Sequence, residues 1–214
     1  VIDTFGRRIK TVFQSNGGQG WALTAGFEAS HGDVVVFLDA DDTLLPTAVE
    51  EAVKACRGNG IAKAHWPLWI VNEQSSRTGR RVPLAPLPEG DLREQVARHG
   101  PLTTATPPTS GNAWTRSFLK QVMPIPDTYR LCADEYLYAL APAFGLVKRV
   151  NEPQGTYRLH GRNGYRDRAF EEKVAFGQRV QNMQCDLVAI HLRNHGFEVE
   201  PERWKQEQWF SRLS

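Results

Sequence analysis

The feature that most constrains the fold is residues 34–42 (Val-Val-Val-Phe-Leu-Asp-Ala-Asp-Asp), an uncharged apolar run that ends in carboxylates. Five consecutive apolar residues, three of them Val, are typical of a parallel strand buried on both faces of an α/β sheet. Such sheets open their ligand crevice at the carboxyl ends of the strands, where these acids lie. Clustered negative charge there costs free energy unless a positive partner neutralises it, and a hard divalent cation is one such partner. The run therefore predicts a cation-binding α/β sheet.

The same acids have other interpretations. A charge-rich turn that caps the next helix is one, because Asp is favoured in turns and caps. A calcium loop is excluded, because Leu44 stands where that loop requires Gly and Pro46 interrupts it. Residues 38–45 also resemble the first motif of haloacid-dehalogenase-like phosphatases, in which the first Asp, here Asp39, attacks phosphorus. Asp42 stands where that motif has Gly.

The residues before the apolar run indicate a strand, a turn and a helix. Residues 9–13 have the pattern of a short strand, and residues 16–20 (Asn-Gly-Gly-Gln-Gly) have that of a tight turn. Residues 21–30 form a helical pattern that Gly32 ends. A Gly-rich turn before a helix is able to cradle phosphate, although the bare pattern more often only makes a turn.

Residues 16–46 together resemble the core of inverting family-2 glycosyltransferases with the GT-A fold. The shared features, in order, are the Asn-Gly turn, a helix with small residues, Gly32-Asp33, and Asp-x-Asp-Asp before a helix led by Pro46. The resemblance implies an α/β fold of the GT-A type, with a mixed sheet flanked by helices. It places Asp39 near the nucleotide ribose and Asp41 on a Mg²⁺ or Mn²⁺ ion that bridges the donor diphosphate. Asp42 is then a supporting neighbour.

A second motif concerns the catalytic base. In this family an Asp followed by Leu three residues later and by Gly eleven residues later begins the helix that carries the base, and Asp134, Leu137 and Gly145 have that spacing. The resemblance therefore implies Asp134 as the base. The family usually has Glu immediately before this Asp, whereas here Ala133 precedes it and Glu135 follows. Without the resemblance, two acids in a first helical turn are explained by the helix dipole.

A third motif is residues 157–163 (Tyr-Arg-Leu-His-Gly-Arg-Asn), which follow a predicted strand at 147–150 and resemble the family's Tyr-Arg-x-His element. The resemblance implies that His160 approaches the metal or the departing diphosphate. Arg158, His160 and Arg162 concentrate positive charge that suits a diphosphate, although a solvated basic loop has the same pattern. The candidate donor-binding residues are thus Asp39, Arg158, His160 and Arg162, and the candidate metal ligands are Asp41 and His160.

The segment between the acid motif and the predicted base helix is expected to form the variable part of the active site. Residues 64–71 and 80–83 flank a predicted hairpin loop at 72–79, and a short helix is predicted at 91–99, before a loop at 101–108. By the resemblance, residues 110–114 approach the acceptor and the donor sugar. Three indoles are candidates either for stacking on a sugar or for the core: Trp66, Trp69 and Trp114.

The carboxyl-terminal part is predicted to be helical. Apolar residues recur at helical spacing through 167–194, and residues 204–213 mix aromatics with charges, which fits either an interfacial helix or one packed on the protein. We expect a catalytic domain at 1–166 and a helical extension at 167–214. The family's first two strands, which bind the nucleotide base, precede the match, so we also expect the catalytic domain to be truncated at its amino end.

Composition narrows the class of protein. The net charge is only +2, and there is no arginine-rich face or interleaved aromatic platform of the kind that single-strand nucleic-acid binders use. The three cysteines lie far apart without a Cys-x-x-Cys pair, which favours reduced thiols in the cytoplasm. No apolar run approaches the roughly 18 residues of a membrane span, so membrane contact, if any, is predicted to be peripheral at the inner face.

The function predicted from the sequence is metal-dependent, inverting transfer of a sugar from a nucleotide-diphosphate sugar to a hydroxyl of a carbohydrate or glycolipid acceptor. Two alternatives remain open. One is an aspartyl phosphotransferase with Asp39 as nucleophile, although its candidate acidic pair, at 134–135, lies inside a helical pattern. The other is a non-catalytic module that binds sugar or nucleotide.

Overall fold

The computed structural model describes residues 2–101, 103–160 and 170–213. Within them, one four-stranded sheet has the order β1-β6-β3-β7, with β1 antiparallel to β6, β6 antiparallel to β3 and β3 parallel to β7. Its strands are β1 (Val34–Val36), β3 (Ile61–His65), β6 (Asn112–Thr115) and β7 (Leu146–Arg149). The mixed sheet agrees with the predicted fold class.

A second four-stranded sheet has the order β2-β8-β4-β5. Its strands are β2 (Thr43–Leu44), β4 (Leu68–Val71), β5 (Arg77–Val82) and β8 (Gly155–Arg158). Strands β4 and β5 form the predicted hairpin, and the Asn72 side chain accepts the backbone N–H groups of Gln74 and Ser76 in its turn. The predicted first arm at 64–71 is instead divided between β3 and β4, because the chain passes from one sheet to the other at residues 66–67.

The helices lie where the sequence predicts them, except for one at residues 116–122 that the sequence analysis did not predict. A helix follows the Gly-rich turn, another follows Pro46, a short one ends at Gly100, and a fourth begins beside Asp134. The helices are α1 (Gln19–Ala29), α2 (Ala48–Ala55), α3 (Arg93–His99), α4 (Arg116–Val122), α5 (Ala133–Phe144), α6 (Phe170–Asn194) and α7 (Pro201–Leu213). Short 3-10 turns occur at Ile2–Arg8, Thr109–Gly111 and Asp127–Tyr129.

The main core lies between the first sheet and helices α1 and α3 to α7. Trp114 of β6, Leu137 of α5 and Leu192 of α6 are fully buried in one cluster, which also takes in Trp204 of α7 at 0% exposure. The carboxyl-terminal helix therefore packs on the protein, as one of the two sequence interpretations had it. No helix in the described ranges is long and apolar enough to cross a membrane.

A smaller core lies between the two sheets and α2. Trp66 is fully buried there, together with Ala52, Ala64 and Leu68. Of the three indoles that are candidates for sugar stacking, Trp66 and Trp114 belong to the cores, and Trp69 is only half-buried.

Two predictions about strands are wrong. Strand β1 is three residues long, half-buried and antiparallel to β6 at an edge of its sheet, rather than parallel and buried on both faces. Residues 9–13 form no strand, and Phe13 is 86% exposed. A run of apolar residues specifies an extended backbone, but burial and pairing depend on which other strands lie beside it, and neighbouring residues do not encode that.

Candidate active site

The acid loop, residues 39–42, connects β1 to β2. The backbone N–H of Asp39 donates to Oγ of Ser110 at 3.1 Å, and the N–H of Asp42 donates to the carbonyl oxygen of Asp39 at 3.1 Å. The first bond ties the loop to the 3-10 turn Thr109–Gly111, and the second closes the loop on itself. The carboxylates are thus presented on a tight turn.

Asp42 is the buried member of the loop. Its Oδ1 accepts the backbone N–H of Arg158 at 2.9 Å, which attaches the loop to the end of β8. Burial raises the pKa of Asp42 above its ordinary value, and the hydrogen bonds of Ser110 and Arg158 oppose that rise. This environment suits a structural carboxylate, in keeping with the supporting place the sequence assigns to Asp42.

Asp41 and His160 meet in the structure. Oδ2 of Asp41 lies 2.8 Å from Nε2 of His160, and the two side chains are 40% and 26% exposed. The two residues that the sequence proposes as metal ligands therefore converge from the acid loop and from the residues after β8. Their facing atoms are a carboxylate oxygen and an imidazole nitrogen in a solvent-accessible position.

Arg158 makes contacts that the sequence did not indicate. Its Nε donates to the carbonyl oxygen of Asp41 at 2.9 Å, and its Nη1 donates to the carbonyl oxygens of Asn72 and Glu73 and to Oγ of Ser75, at 3.0 to 3.2 Å. The guanidinium thus joins the acid loop to the β4–β5 turn. Arg162, the other predicted diphosphate ligand, lies outside the described residues.

Asp134 occupies the first turn of α5, where burial dominates its chemistry. Its Oδ1 accepts the N–H of Glu135 at 2.9 Å, and its Oδ2 accepts the hydroxyl of Thr109 at 3.3 Å. Burial raises the pKa of Asp134 to about 6, and the charges of Glu135 and Asp39 add to the rise. A carboxylate with such a pKa is suited to accepting a proton near neutral pH.

Thr109 lies between the acid loop and the base helix. Burial and the charges of Asp42 and Asp41 raise the pKa of Asp39, and the nearby hydroxyl of Thr109 opposes that rise, so that the net shift is upward. Nε2 of Gln19 donates to Oγ1 of Thr109 at 3.4 Å, and Oε1 of Gln19 accepts the N–H of Ala133 at 3.1 Å. The amino ends of α1 and α5 therefore converge on one hydroxyl.

Sequence reasoning missed both Gln19 and Thr109. Gln19 is part of the Gly-rich turn, and Thr109 immediately precedes the segment that the resemblance places near the acceptor. Each residue therefore lies in or beside a motif that the sequence analysis had identified. A polar side chain at the first residue of a helix was the only local hint for Gln19, and the pairing with Thr109 is 90 residues distant in sequence.

Glu135 faces a different part of the molecule. Nε2 of Gln184 in α6 donates to the carbonyl oxygen of Glu135 at 2.8 Å and to its Oε2 at 3.2 Å. Adjacent residues of a helix point about 100° apart, which accounts for the separation from Asp134. Only Asp134 of this pair makes a contact with Thr109.

The Gly-rich turn packs against the protein. The N–H of Gly18 donates to Oδ1 of Asn16 at 3.1 Å, and that of Gly20 donates to the carbonyl oxygen of Arg130 at 2.9 Å. Gly18 has a φ of 86°, and a Cβ there would lie 2.6 Å from the Arg130 oxygen. These two amides are occupied within the protein and are therefore not available to a phosphate.

A buried lysine lies in the sheet behind the site. Nζ of Lys63 donates to Oδ1 of Asn112 at 3.0 Å, and burial lowers the pKa of Lys63 to about 7. The amide of Asn112 donates to the carbonyl oxygens of Pro108 and Thr109, at 3.0 and 3.3 Å. This chain of contacts supports the backbone that carries Thr109.

The side chains available as metal ligands are compatible with a divalent metal that is bound together with a diphosphate. In residues 2–101, 103–160 and 170–213, no group of three or more His, Cys, Asp or Glu side chains is arranged to hold an ion by itself. Asp41 and His160 nevertheless offer two adjacent ligands. Mg²⁺ in such sites is commonly held by one or two carboxylates, with substrate phosphates and water completing its shell.

The two sheets, the covering helices and the acid loop define a GT-A fold of the kind found in nucleotide-sugar transferases. A family model described as glycosyl transferase family 2 matches residues 1–113. The chain belongs to that family, which confirms the resemblance drawn from the sequence.

One relative agrees with this assignment, and two solved structures agree with the fold. An uncharacterized glycosyltransferase of Nostoc sp., alr2836, is 33% identical over 202 residues, which cover 92% of this chain and 62% of the relative. The crystal structure of S. aureus TarS 1–349 in complex with UDP superposes with a TM-score of 0.62 at 12% identity, over 95% of this chain and 54% of that one. A longer S. aureus TarS structure superposes with a TM-score of 0.64 at 11% identity, over 99% and 34%. The chain thus spans less than two thirds of the length of each.

Proposed function

We propose that the chain carries out metal-dependent, inverting transfer of a sugar from a nucleotide-diphosphate sugar to an acceptor hydroxyl. The observation that carries the proposal is the placement of a half-buried, weakly acidic carboxylate, Asp134, across Thr109 from the acid loop. Family membership supports sugar transfer over the aspartyl phosphotransferase alternative. The UDP complex of TarS supports a nucleotide-diphosphate donor.

In this mechanism Asp134 removes the proton of the acceptor hydroxyl. The acceptor oxygen attacks the anomeric carbon from the face opposite the nucleotide, the bond from that carbon to the diphosphate oxygen breaks, and the configuration inverts. Asp134 must be deprotonated to act, and its pKa of about 6 makes the carboxylate the main form at neutral pH. Transfer should therefore decline as pH falls through about 6.

The donor would lie on the acid loop. Asp39 is proposed to contact the ribose, Asp41 and His160 to hold Mg²⁺ or Mn²⁺, and Arg162 to contact the diphosphate. The bound ion would supply charge neutralisation to the leaving diphosphate. For Arg158, the contacts with Asp41 and the β4–β5 turn support a role in positioning the loop rather than in binding the diphosphate directly.

We also propose that the chain is divided into a catalytic part and a helical extension. Residues 1–166 would form the catalytic part and residues 167–214 a helical extension, which shares the main core through Leu192 and Trp204. The division is therefore one of chemistry rather than of packing. A carbohydrate or glycolipid acceptor and a cytoplasmic location, with or without peripheral contact at the inner membrane face, complete the proposal.

Calorimetry of the full chain against a panel of nucleoside diphosphates tests the donor site. We expect one diphosphate to bind much more tightly with Mn²⁺ than with EDTA, because the acid loop repels an uncompensated diphosphate. Asp41→Ala should remove the difference, whereas Asp33→Ala, an exposed acid before β1, should preserve it. Equal affinity with Mn²⁺ and with EDTA in the unsubstituted protein contradicts the metal role of the loop.

A further inference from the structure

A row of four side chains crosses the second sheet. Thr43 of β2 is paired with Thr156 of β8, Thr156 with Trp69 of β4, and Trp69 with Arg81 of β5. Directly paired residues on neighbouring strands share a face of the sheet, and the hydroxyls of Thr43 and Thr156 are only 2.6 Å apart. The guanidinium of Arg77 lies over the indole of Trp69, 5.2 Å from its centroid. We refer to these five side chains as the platform.

The platform lies on the solvent side of the sheet. The alternate residues of the same strands, Leu44, Leu68, Val82 and Tyr157, pack into the smaller core on the opposite side. Thr43, Arg77 and Arg81 are exposed, and Trp69 is half-buried. An indole in the middle of a solvent-facing sheet therefore has arginines on one side and hydroxyls on the other.

One end of the platform adjoins the proposed active site. Thr43 directly follows Asp42 of the acid loop. Arg158 stands two residues beyond Thr156 on β8 and holds the carbonyl oxygen of Asp41. A molecule that lies along the platform would thus extend from the edge strand β5 toward the acids.

The other end is strongly basic. Strand β5 carries Arg77, Arg80 and Arg81, and within the described parts of the chain no carboxylate forms a salt bridge with any of them. Guanidinium groups suit planar recognition of carboxylate and phosphate. Uncompensated positive charge on this strand therefore favours an anionic partner.

We propose that the platform binds an anionic carbohydrate chain, and that this chain is the acceptor substrate. Once the guanidinium of Arg77 moves off the ring, the indole would offer a flat apolar surface for the C–H face of a sugar ring. The threonines would exchange hydrogen bonds with sugar hydroxyls, and the arginines would pair with phosphate or carboxylate groups. The assignment as acceptor rests on the proposed function, whereas the binding does not. A single indole is fewer than the successive stacking aromatics that single-stranded nucleic acids use.

Calorimetry with a short dextran sulfate, at fixed ionic strength and without donor or metal, tests the platform. We expect dextran sulfate to bind and neutral dextran not to bind. Trp69→Ala and Arg81→Ala should each weaken binding about five- to tenfold, the effect of losing one stacking or charged contact. Trp69→Phe should retain most of the affinity, which separates stacking from any fold defect. Arg57→Ala, which removes an exposed arginine after α2, is the matched control and should have no effect.

Three results would overturn the proposal. Equal weakening by Arg57→Ala would mean a diffuse electrostatic effect. Equal affinity for a single-stranded oligonucleotide or for anionic phospholipid vesicles, with no sensitivity to Trp69→Ala, would assign the platform to another class of partner. Self-association of Arg81→Ala with unchanged dextran sulfate binding would mean that the arginines only protect a sheet edge. Because no donor is present, failure here leaves the nucleotide calorimetry, and with it the proposed function, unaffected.

Discussion

Asp134 and Glu135 are neighbouring carboxylates with different surroundings. Asp134 accepts the hydroxyl of Thr109 and faces the acid loop, whereas Glu135 accepts hydrogen bonds from Gln184 of α6. The order of two acids in a sequence does not reveal which one faces a substrate. The direction of each side chain from the helix does, and that direction favours Asp134 as the base.

Asp134→Asn should lower the rate of transfer by roughly 10²- to 10⁴-fold and leave donor affinity near the unsubstituted value, because a general base acts in the chemical step. Glu135→Gln is the matched control and should retain most activity. Initial rates with the donor identified by calorimetry measure both variants. An inactive Glu135→Gln beside an active Asp134→Asn would transfer the role of base to Glu135.

The raised pKa of Asp134 also predicts a dependence of stability on pH. The folded protein holds this proton from pH 3.8 to about 6, where the unfolded chain releases it, so the buried charge destabilises the fold increasingly as pH rises through that window. Asp134→Asn should therefore be stabilising, by an amount that grows from pH 4 to pH 7 toward about 3 kcal/mol. Urea unfolding at several pH values measures the difference. Asp39, Glu135 and Tyr138 also face Asp134. They are present both in the unsubstituted protein and in Asp134→Asn, so the difference between the two proteins reports on Asp134. A difference that is constant with pH would contradict the raised pKa.

At the scale of elements, β8 and the β4–β5 hairpin hold the acid loop in place. Arg158 reaches from β8 to carbonyl oxygens on both sides, and Asp42 accepts the N–H of the same residue. The acid loop and the β4–β5 turn are thus both hydrogen-bonded to the side chain of Arg158. The sequence motif that contains Arg158 was interpreted through charge, whereas its observed contacts are mainly with backbone oxygens.

Arg158→Lys keeps the charge but loses the planar fork, so it distinguishes positioning from simple charge attraction. We expect donor affinity with Mn²⁺ to fall about tenfold, the loss of one or two hydrogen bonds to a charged group. Amide exchange in residues 72–76 should become faster. Arg149→Lys is the control, because Arg149 also donates to a backbone oxygen, that of Leu87, away from the loop. Unchanged amide exchange with unchanged donor affinity would contradict the positioning role.

At the scale of the whole molecule, the carboxyl-terminal helices are part of the main core. Trp204 of α7 and Leu192 of α6 are fully buried in the same cluster as Trp114 of β6. The proposed catalytic part and its helical extension should therefore unfold together.

Trp204→Ala should lower the free energy of unfolding by about 3–5 kcal/mol, the usual cost of a large cavity in a core. Ile190→Ala, on the exposed side of α6, should cost much less. Urea unfolding followed by both circular dichroism and fluorescence should show one transition in each protein. A second transition confined to helical signal would show instead that the extension folds separately.

Local patterns predicted much of the fold. The helix beside Asp134, the short helix ended by Gly100, the β4–β5 hairpin and the turn at 16–20 agree with the structure because capping, turn chemistry and periodicity are properties of neighbouring residues. The predictions of a strand at residues 9–13 and of a buried, parallel β1 were wrong, because strand pairing joins residues that are distant in sequence. Arg162 is not among the described residues, so its predicted role stays a prediction.

The sequence by itself determined the class of protein and the presence of the acid motif, the base helix and the Tyr-Arg-x-His element, because each is a short pattern of residue types. Only the tertiary structure brought Asp41 beside His160, Asp134 across Thr109 from Asp39, and Trp69 beside Thr156. The partners in these pairs come from separate segments of the chain. Their proximity follows from the packing of the sheets and helices, which depends on contacts across the whole core.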